Sequence, residues 1–313
     1  MQEYKYVIAG WAVIIRFKET DTINNIGLLP SFAPFEVNED DTSAFEDNHL
    51  LTLTVDNDLR PYPKEKRQRI RSFDTGNGDT IVDKLDNGGY QYIIKNVFAR
   101  NCALVVTNER FNECHCALAG TQNDRLFGLN NTLMLVFAFA SSFRKTLLIH
   151  ASVVKRGDYA FAFIAKSGTG KSTQVSNWLK TIPECELLND DNPVVRVLDN
   201  GEVRIYGSPW SGKTPCYRNR YALLGGVCRI DRASENALER LRPLDGFASV
   251  LPSCSSMKWD QAIYRRLYGT VLKVVETIPT YILHCLPNED SARVCCKGVT
   301  EALTDIKLIT NND

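Results

Sequence analysis

Lys166, Ser167, Gly168, Thr169, Gly170, Lys171, Ser172 and Thr173 run consecutively, and their types and order fit the binding of phosphate. Gly168 and Gly170 let the backbone turn its N–H groups inward with φ values that other residues resist. Those N–H groups, together with the positive end of a helix that follows, make an anion site. Lys171 can then reach the outer phosphates of a nucleotide, and the Ser172 hydroxyl can ligate Mg²⁺. Ala165 stands where the usual pattern has its first glycine, a place where a small residue at a strand end is tolerated. The alternative is a plain glycine-rich turn followed by Lys-Ser without function.

A second group is the pair Asp190 and Asp191, at the end of an apolar lead through Leu187 and Leu188. Adjacent residues on a strand face opposite sides, so the two acids should not share one task. One can hold a metal, directly or through water. The other can accept the proton of an attacking hydroxyl. A helix cap or an Asx-turn is the plainer reading of such a pair. A third group is the stretch 207–220, marked by Gly207, Pro209 and Gly212 and carrying Lys213, Arg218 and Arg220. Cations beside a transferring phosphoryl group stabilise the charge that develops there. Taken alone, this stretch reads more readily as an ordinary solvated basic loop.

The elements that must position these groups follow from periodicity. Residues 160–165 are an apolar run too short for a helix, hence a buried strand entering the glycine loop. After the loop, Val175, Trp178, Leu179 and Ile182 fall at helical spacing, one apolar face. A strand, a glycine loop and a helix in that order is the context a phosphate-binding loop requires. Residues 146–154 read as another strand, joined to the loop strand by a turn at residues 155–158, so a hairpin delivers the loop. His150 lies at the start of that hairpin. Residues 187–197 read as a strand with the two acids, 203–206 and 223–230 as further strands, 260–276 as a helix, 280–286 as a strand carrying His284 in a structural role, and 288–303 as a capped helix.

Upstream, residues 1–125 hold short β-branched and aromatic runs separated by turn signals, which predicts a β-rich domain. Asn87 and Gly88 supply the positive φ of a hairpin turn between residues 81–82 and 90–94. The charged stretches 39–41 and 61–71 read as solvated loops, His49 as a surface residue, and no catalytic constellation stands out in this half. A helix apolar nearly all round is expected from about residue 130 to 143, buried at a domain junction spanning 126–145. Residues 146–313 then form the nucleotide-binding domain, with a disordered tail at 310–313.

Composition narrows the function further. Among 313 residues, Lys plus Arg equals Asp plus Glu at 37, so no global field favours nucleic acid or an anionic membrane. No stretch approaches the roughly 18 apolar residues of a membrane span, and no signal peptide is read at the start. Ten cysteines in a chain this long read as reduced thiols of a cytoplasmic protein rather than a disulfide framework. The spacing of Cys114, His115 and Cys116 matches no usual zinc pair.

Taken together, His150, the glycine loop, the Asp190–Asp191 pair and the Gly207-Ser208-Pro209-Trp210 stretch resemble the catalytic domain of HPr kinase/phosphorylase and its relatives. That group includes the lasso-peptide-tail kinases and is distantly similar to phosphoenolpyruvate carboxykinase. The resemblance covers residues 146–230, more weakly the remainder. It implies an α/β, mixed-sheet P-loop kinase domain, here preceded by a β-rich α+β domain, in which a hairpin rather than a first parallel strand leads into the loop. It implies ATP and Mg²⁺ as cofactors, with Lys171 and Ser172 at the phosphates and the metal, and Asp191 as a further metal ligand. Asp190 would be the base that deprotonates a serine hydroxyl. His150 would lie near the phosphates, and Lys213 or Arg218 would add positive charge. No stretch matches the family's segment for gripping HPr, so the acceptor is an unidentified protein, peptide or small metabolite, and phosphorylase activity is not implied. A nucleotide-binding regulator without transfer, and carboxykinase-type chemistry, are the rival readings. No base-recognition motif separates ATP from GTP or pyrophosphate, and the oligomeric state is open.

Overall fold

The computed structural model describes residues 1–18, 23–37, 47–74, 78–212 and 214–310, without the side chains of residues 74 and 304–310. The charged stretch at 39–41, Lys213 and residues 311–313 lie outside these described residues. The chain is mixed α/β and divides into two compact units, Met1–Arg144 with Met257–Asp260, and Lys145–Ser256 with Gln261–Asp313.

The first unit is built on strands β1 (Gln2–Ile8), β2 (Trp11–Phe17), β3 (His49–Val55), β4 (Arg67–Asp74), β5 (Asp79–Leu85), β6 (Tyr90–Lys95), β7 (Asn101–Thr107) and β8 (Glu113–Leu118), followed by helix α1 (Gln122–Ser142). The strands form one mixed sheet in the order β1-β2-β3-β8-β7-β6-β5-β4. Pairing is parallel where β3 meets β2 and β8, and antiparallel elsewhere. The turn through Asn87 and Gly88 joins β5 to β6 as their sequence requires, with Gly88 at φ 86°. Strand alternation buries Cys114 and Cys116 and leaves His115 exposed, so the Cys-His-Cys run is divided between two faces.

Helix α1 packs on β3, β7 and β8, with Phe139 meeting Phe111 edge-on at 5.2 Å. It begins eight residues before the apolar run at residue 130. Thr121 caps it by accepting from the Asp124 N–H, and the Asp124 carboxylate accepts in return from the Thr121 N–H. That reciprocal pair is a capping box with Asp in place of the usual Glu or Gln. The helix therefore belongs to the first unit, and the division falls after Arg144.

The second unit contains β9 (Thr146–Leu148), β10 (Ala151–Arg156), β11 (Tyr159–Ile164), α2 (Lys171–Thr181), β12 (Cys185–Asp191), β13 (Val194–Val197), β14 (Val203–Tyr206), β15 (Tyr221–Arg232), β16 (Ala237–Arg240), α3 (Pro243–Val250), α4 (Gln261–Thr277), β17 (Thr280–Cys285) and α5 (Glu289–Thr310). Its sheet runs β12-β10-β11-β15-β14-β13-β9, with β17 paired to β15 and β16 to β17. The pairs β11–β15 and β15–β17 are parallel and the others antiparallel. The run expected as one strand over 146–154 is two: β9 pairs with β13, β10 pairs with β11 and β12, and His150 sits at the break.

Both faces of this sheet are covered. Ala160, Ala162 and Ile164 of β11 join Phe247 and Val250 of α3 and Leu267, Val271 and Val274 of α4 in one core. Phe161 and Phe163 face the other way, toward Val175 and Trp178 of α2 and Ala292, Cys295 and Val299 of α5. Trp178 is fully buried against Phe161 and Phe163, with ring centroids 5.4 and 5.8 Å away. This pairing of a large-residue strand face with the indole fixes α2 behind the glycine loop. Leu179, placed by its spacing on the same apolar stripe, is exposed, because α2 docks through the stripe of Lys171, Gln174, Val175 and Trp178 instead.

Candidate functional site

The glycine loop leaves the end of β11 at Ala165 and enters α2 at Lys171. Gly168 and Gly170 have φ of 75° and 133°, and a Cβ built on either would touch nothing within 4 Å. Conformation rather than crowding is what requires glycine at both. The loop closes on itself through the Thr169 N–H, which donates to the Lys166 carbonyl at 3.2 Å. Lys166 and Ser167 are exposed at its tip, and Ser172 and Thr173 are exposed on the first turn of α2. Lys171 lies nearly buried beneath the loop, its Nζ donating to the Ala165 carbonyl at 3.2 Å. Burial pushes its pKa below the usual lysine value, against the opposing charges of Asp191 and Asp190.

Register brings the acids to the loop. Strand β12 lies antiparallel to β10 with Asp190 opposite Ser152 and Asp191 opposite Ala151. Asp190 is buried, and its Oδ1 accepts from Ser152 Oγ at 2.5 Å and from Ser172 Oγ at 3.3 Å. The loop serine and one acid are thus adjacent. Asp191 turns elsewhere, as alternation dictates: its Oδ1 lies 3.2 Å from His150 Nε2, and its Oδ2 accepts from Asn192 Nδ2 at 2.7 Å. Both His150 and Asp191 remain about two-fifths exposed. The His150 N–H donates to the Ser253 carbonyl at 2.7 Å, which anchors the residue at the strand break. Asp191 has φ 129°, a conformation that side chains resist and that commonly marks a site held by its surroundings.

Those surroundings are the stretch 207–212. The Gly212 N–H and the Ser211 hydroxyl both donate to the Asp190 carbonyl, at 2.5 and 3.1 Å. The buried Asn189 amide donates to Ser208 Oγ and to the Trp210 carbonyl, each at 3.2 Å, and Ser208 Oγ donates to the Asn192 carbonyl at 2.6 Å. A Cβ on Gly207 would stand 2.1 Å from the Arg218 carbonyl and 3.1 Å from the Leu188 carbonyl. Backbone cannot move aside as a side chain does, so Gly207→Ala must shift this stretch off the acidic strand. We expect it to cost about 1–3 kcal/mol in urea unfolding; an unchanged unfolding midpoint would contradict the close approach.

Of the expected cations, Lys171 alone is placed at the acids among the described residues. Arg218 pairs with Glu186 on β12, joined there by Lys155 and Arg220. Burial raises the Glu186 carboxyl, but the hydrogen bond and charge of Lys155 and the charges of Arg218 and Arg220 outweigh it and hold the pKa below the ordinary value. Glu186 stands four residues before Asp190, roughly 13 Å along a strand, so Arg218 is committed to the far end of β12. The sequence reading missed Arg232, on the last residue of β15. Its guanidinium donates to the Gly168 carbonyl at 2.7 Å and the Thr169 carbonyl at 3.1 Å, bracing the glycine loop from outside. The apolar pattern of β15 stops at Ile230, which hides the two residues by which the strand continues.

Ser172 and Asp190 therefore meet at the N-terminus of α2, and His150 and Asp191 meet one residue further along β12. Hydroxyl and carboxylate oxygens side by side are the donors a hard cation such as Mg²⁺ prefers. Comparison with models of known protein families finds none that matches the chain, and comparison with curated proteins finds no match either. No helix among the described residues is long and apolar enough to cross a membrane.

Proposed function

We propose that the chain is an ATP- and Mg²⁺-dependent phosphotransferase of the HPr kinase type, passing the terminal phosphate to a hydroxyl, expected to be serine, of a protein, peptide or small metabolite. The observation that carries this reading is the 3.3 Å approach of Asp190 to Ser172 at the mouth of the glycine loop, with a second acid, Asp191, held separately by His150. A protein that merely binds nucleotide has use for the first acid and none for the second. Phosphoryl transfer needs positioning and charge neutralisation more than covalent chemistry. The loop N–H groups and Lys171 would hold the phosphates, and Ser172 with Asp190 would hold Mg²⁺, which supplies charge neutralisation at the outer phosphates.

The geometry favours a division of labour opposite to the one the family resemblance implies. The bond of Asp190 to the loop serine supports a metal role for it. The half-buried position of Asp191 beside His150 supports a role as the acceptor of a proton from an incoming hydroxyl. The reading is tested with γ-labelled ATP and Mg²⁺ in a lysate, the products separated into protein, peptide and small-molecule fractions. Label is expected in one fraction with wild type and in none with Asp191→Asn. Wild-type protein that binds ATP but labels nothing would reduce the chain to a nucleotide-binding regulator.

A further inference from the structure

The register that separates the two acids runs on across the sheet. Asp190, Ser152, Phe163 and Cys228 stand opposite one another on β12, β10, β11 and β15, on the face that carries α2. Asp191, Ala151, Ile164 and Arg229 form the next row, and alternation turns that row to the other face. Ala151 and Ile164 are buried there in the core shared with α3 and α4. The row thus carries a carboxylate on β12 and a guanidinium on β15, with apolar side chains between them. Three strand spacings separate the two, roughly 14 Å between backbones, a gap that a long arginine side chain shortens.

Arg229 has no counterion among the described residues. Its Nε is buried without a hydrogen-bond partner, and no carboxylate pairs with its guanidinium. The acids close to it in register are engaged elsewhere. Asp231, two residues on along the same face of β15, lies 3.7 Å from His284 Nδ1, and Glu239 of β16 lies 3.5 Å from His284 Nε2. A guanidinium does not shed its proton as a buried lysine does, so the charge stays. An unmet buried donor then costs free energy until an acceptor arrives. The planar fork of N–H groups matches a carboxylate or a phosphate. Arg229 as a whole is part exposed, so an anion can reach it from solvent.

We infer that Arg229 recognises an anionic group on the phosphate acceptor. The hydroxyl then belongs to a molecule that carries a carboxylate or phosphate close by, either serine in an acidic sequence or a small hydroxy acid. The inference rests on the phosphotransferase reading and on Asp191 as the acid that meets the hydroxyl. In that reading the donor's phosphates lie with Ser172 and Asp190 on the α2 face, and the acceptor meets Asp191 on the face of Arg229.

Transfer from ATP and Mg²⁺ by the full chain to six probes tests it. Three are serine peptides flanked by Glu, Ala or Lys, and three are glycerate, glycerol and choline. Wild type is expected to favour the acidic member of one set at least tenfold in kcat/KM over the neutral one, with the basic member poorest. The set that is labelled tells a peptide acceptor from a small molecule. Arg229→Glu is expected to reverse the order, and Arg229→Lys to keep it by a smaller margin. Both are expected to bind ATP and Mg²⁺ as wild type does in calorimetry, which is the control for folding. Should Arg229→Glu fail that control, Arg229→Gln decides, its expected result being transfer without preference for charge. Equal transfer by wild type within a set, or a preference that survives in Arg229→Glu, would overturn the inference. An equal loss toward every probe would also overturn it and place Arg229 at the transferring phosphate. Label that appears in a lysate but on neither acidic probe would overturn it as well. Label nowhere would instead overturn the phosphotransferase reading itself.

Discussion

Lys171→Met is expected to abolish the stabilisation that ATP and Mg²⁺ confer on the wild-type chain while leaving the ligand-free protein slightly more stable. Lys171 is nearly buried, and its ammonium donates a hydrogen bond to the Ala165 carbonyl. Its pKa is lowered, chiefly by burial, even though Asp191 and Asp190 pull the other way. A lowered lysine pKa means that the folded state disfavours the charged form, so a neutral side chain of similar length relieves that cost. The same ammonium is the one cation among the described residues set at the acids beneath the loop, where the outer phosphates would lie. A ligand at 100 times its dissociation constant adds about 2.7 kcal/mol. For a unit of this size that is a rise of roughly 5–11 °C in melting temperature. The measurement is a thermal shift with ATP and with ADP, each with and without Mg²⁺. A metal-dependent rise in wild type that vanishes in Lys171→Met is the expected result. An equal rise in both proteins would place the nucleotide somewhere other than the loop.

What the sequence could disclose about this site depended on range. The loop, the strand before it and the helix after it are contiguous, and Gly168, Gly170, Lys171 and Ser172 carry their geometry with them. The hairpin into the loop was equally legible, because residues 155–158 hold a turn and its strands flank it directly. The acids were legible as a pair with different neighbours, since a strand separates adjacent residues onto opposite faces. Which acid meets the loop was not legible. That is set by the register of β12 on β10, which places Asp190 opposite Ser152, and register follows from packing across the sheet rather than from residues near the pair. The position of Arg218 was hidden in the same way. Nothing local to Arg218 reveals that Glu186, 32 residues earlier, claims it. Arg232 went unseen because its role is to donate to backbone carbonyls more than sixty residues away, and carbonyls have no signature in sequence. In the first unit, the Thr121–Asp124 box lay upstream of the apolar run that marked the helix, so pattern alone began α1 too late.

The register has a consequence for kinetics, and the two acids should separate cleanly when each is made an amide. Asp190→Asn removes the carboxylate charge beside Ser172 while keeping a group that can still bond Ser152 and Ser172. If Asp190 serves the metal, this variant is expected to lose the Mg²⁺-dependent part of nucleotide binding, about 10–100-fold in affinity. Asp191→Asn leaves Ser172 and Asp190 untouched. It is expected to bind ATP and Mg²⁺ as wild type does and to lose about 10²–10⁴-fold in the rate of transfer, the usual contribution of a positioned base. His150→Ala should follow Asp191→Asn, with a smaller loss, because His150 acts by holding the Asp191 carboxylate at 3.2 Å. Titrating each variant with nucleotide at fixed Mg²⁺, then measuring single-turnover transfer at saturation, keeps affinity and chemistry apart. The opposite pattern, with Asp190→Asn binding normally but inert and Asp191→Asn failing to bind, would restore the assignment implied by the family resemblance. It would also require Asp190 to leave the loop serine and Asp191 to leave His150, the contacts that β12 makes in this structure.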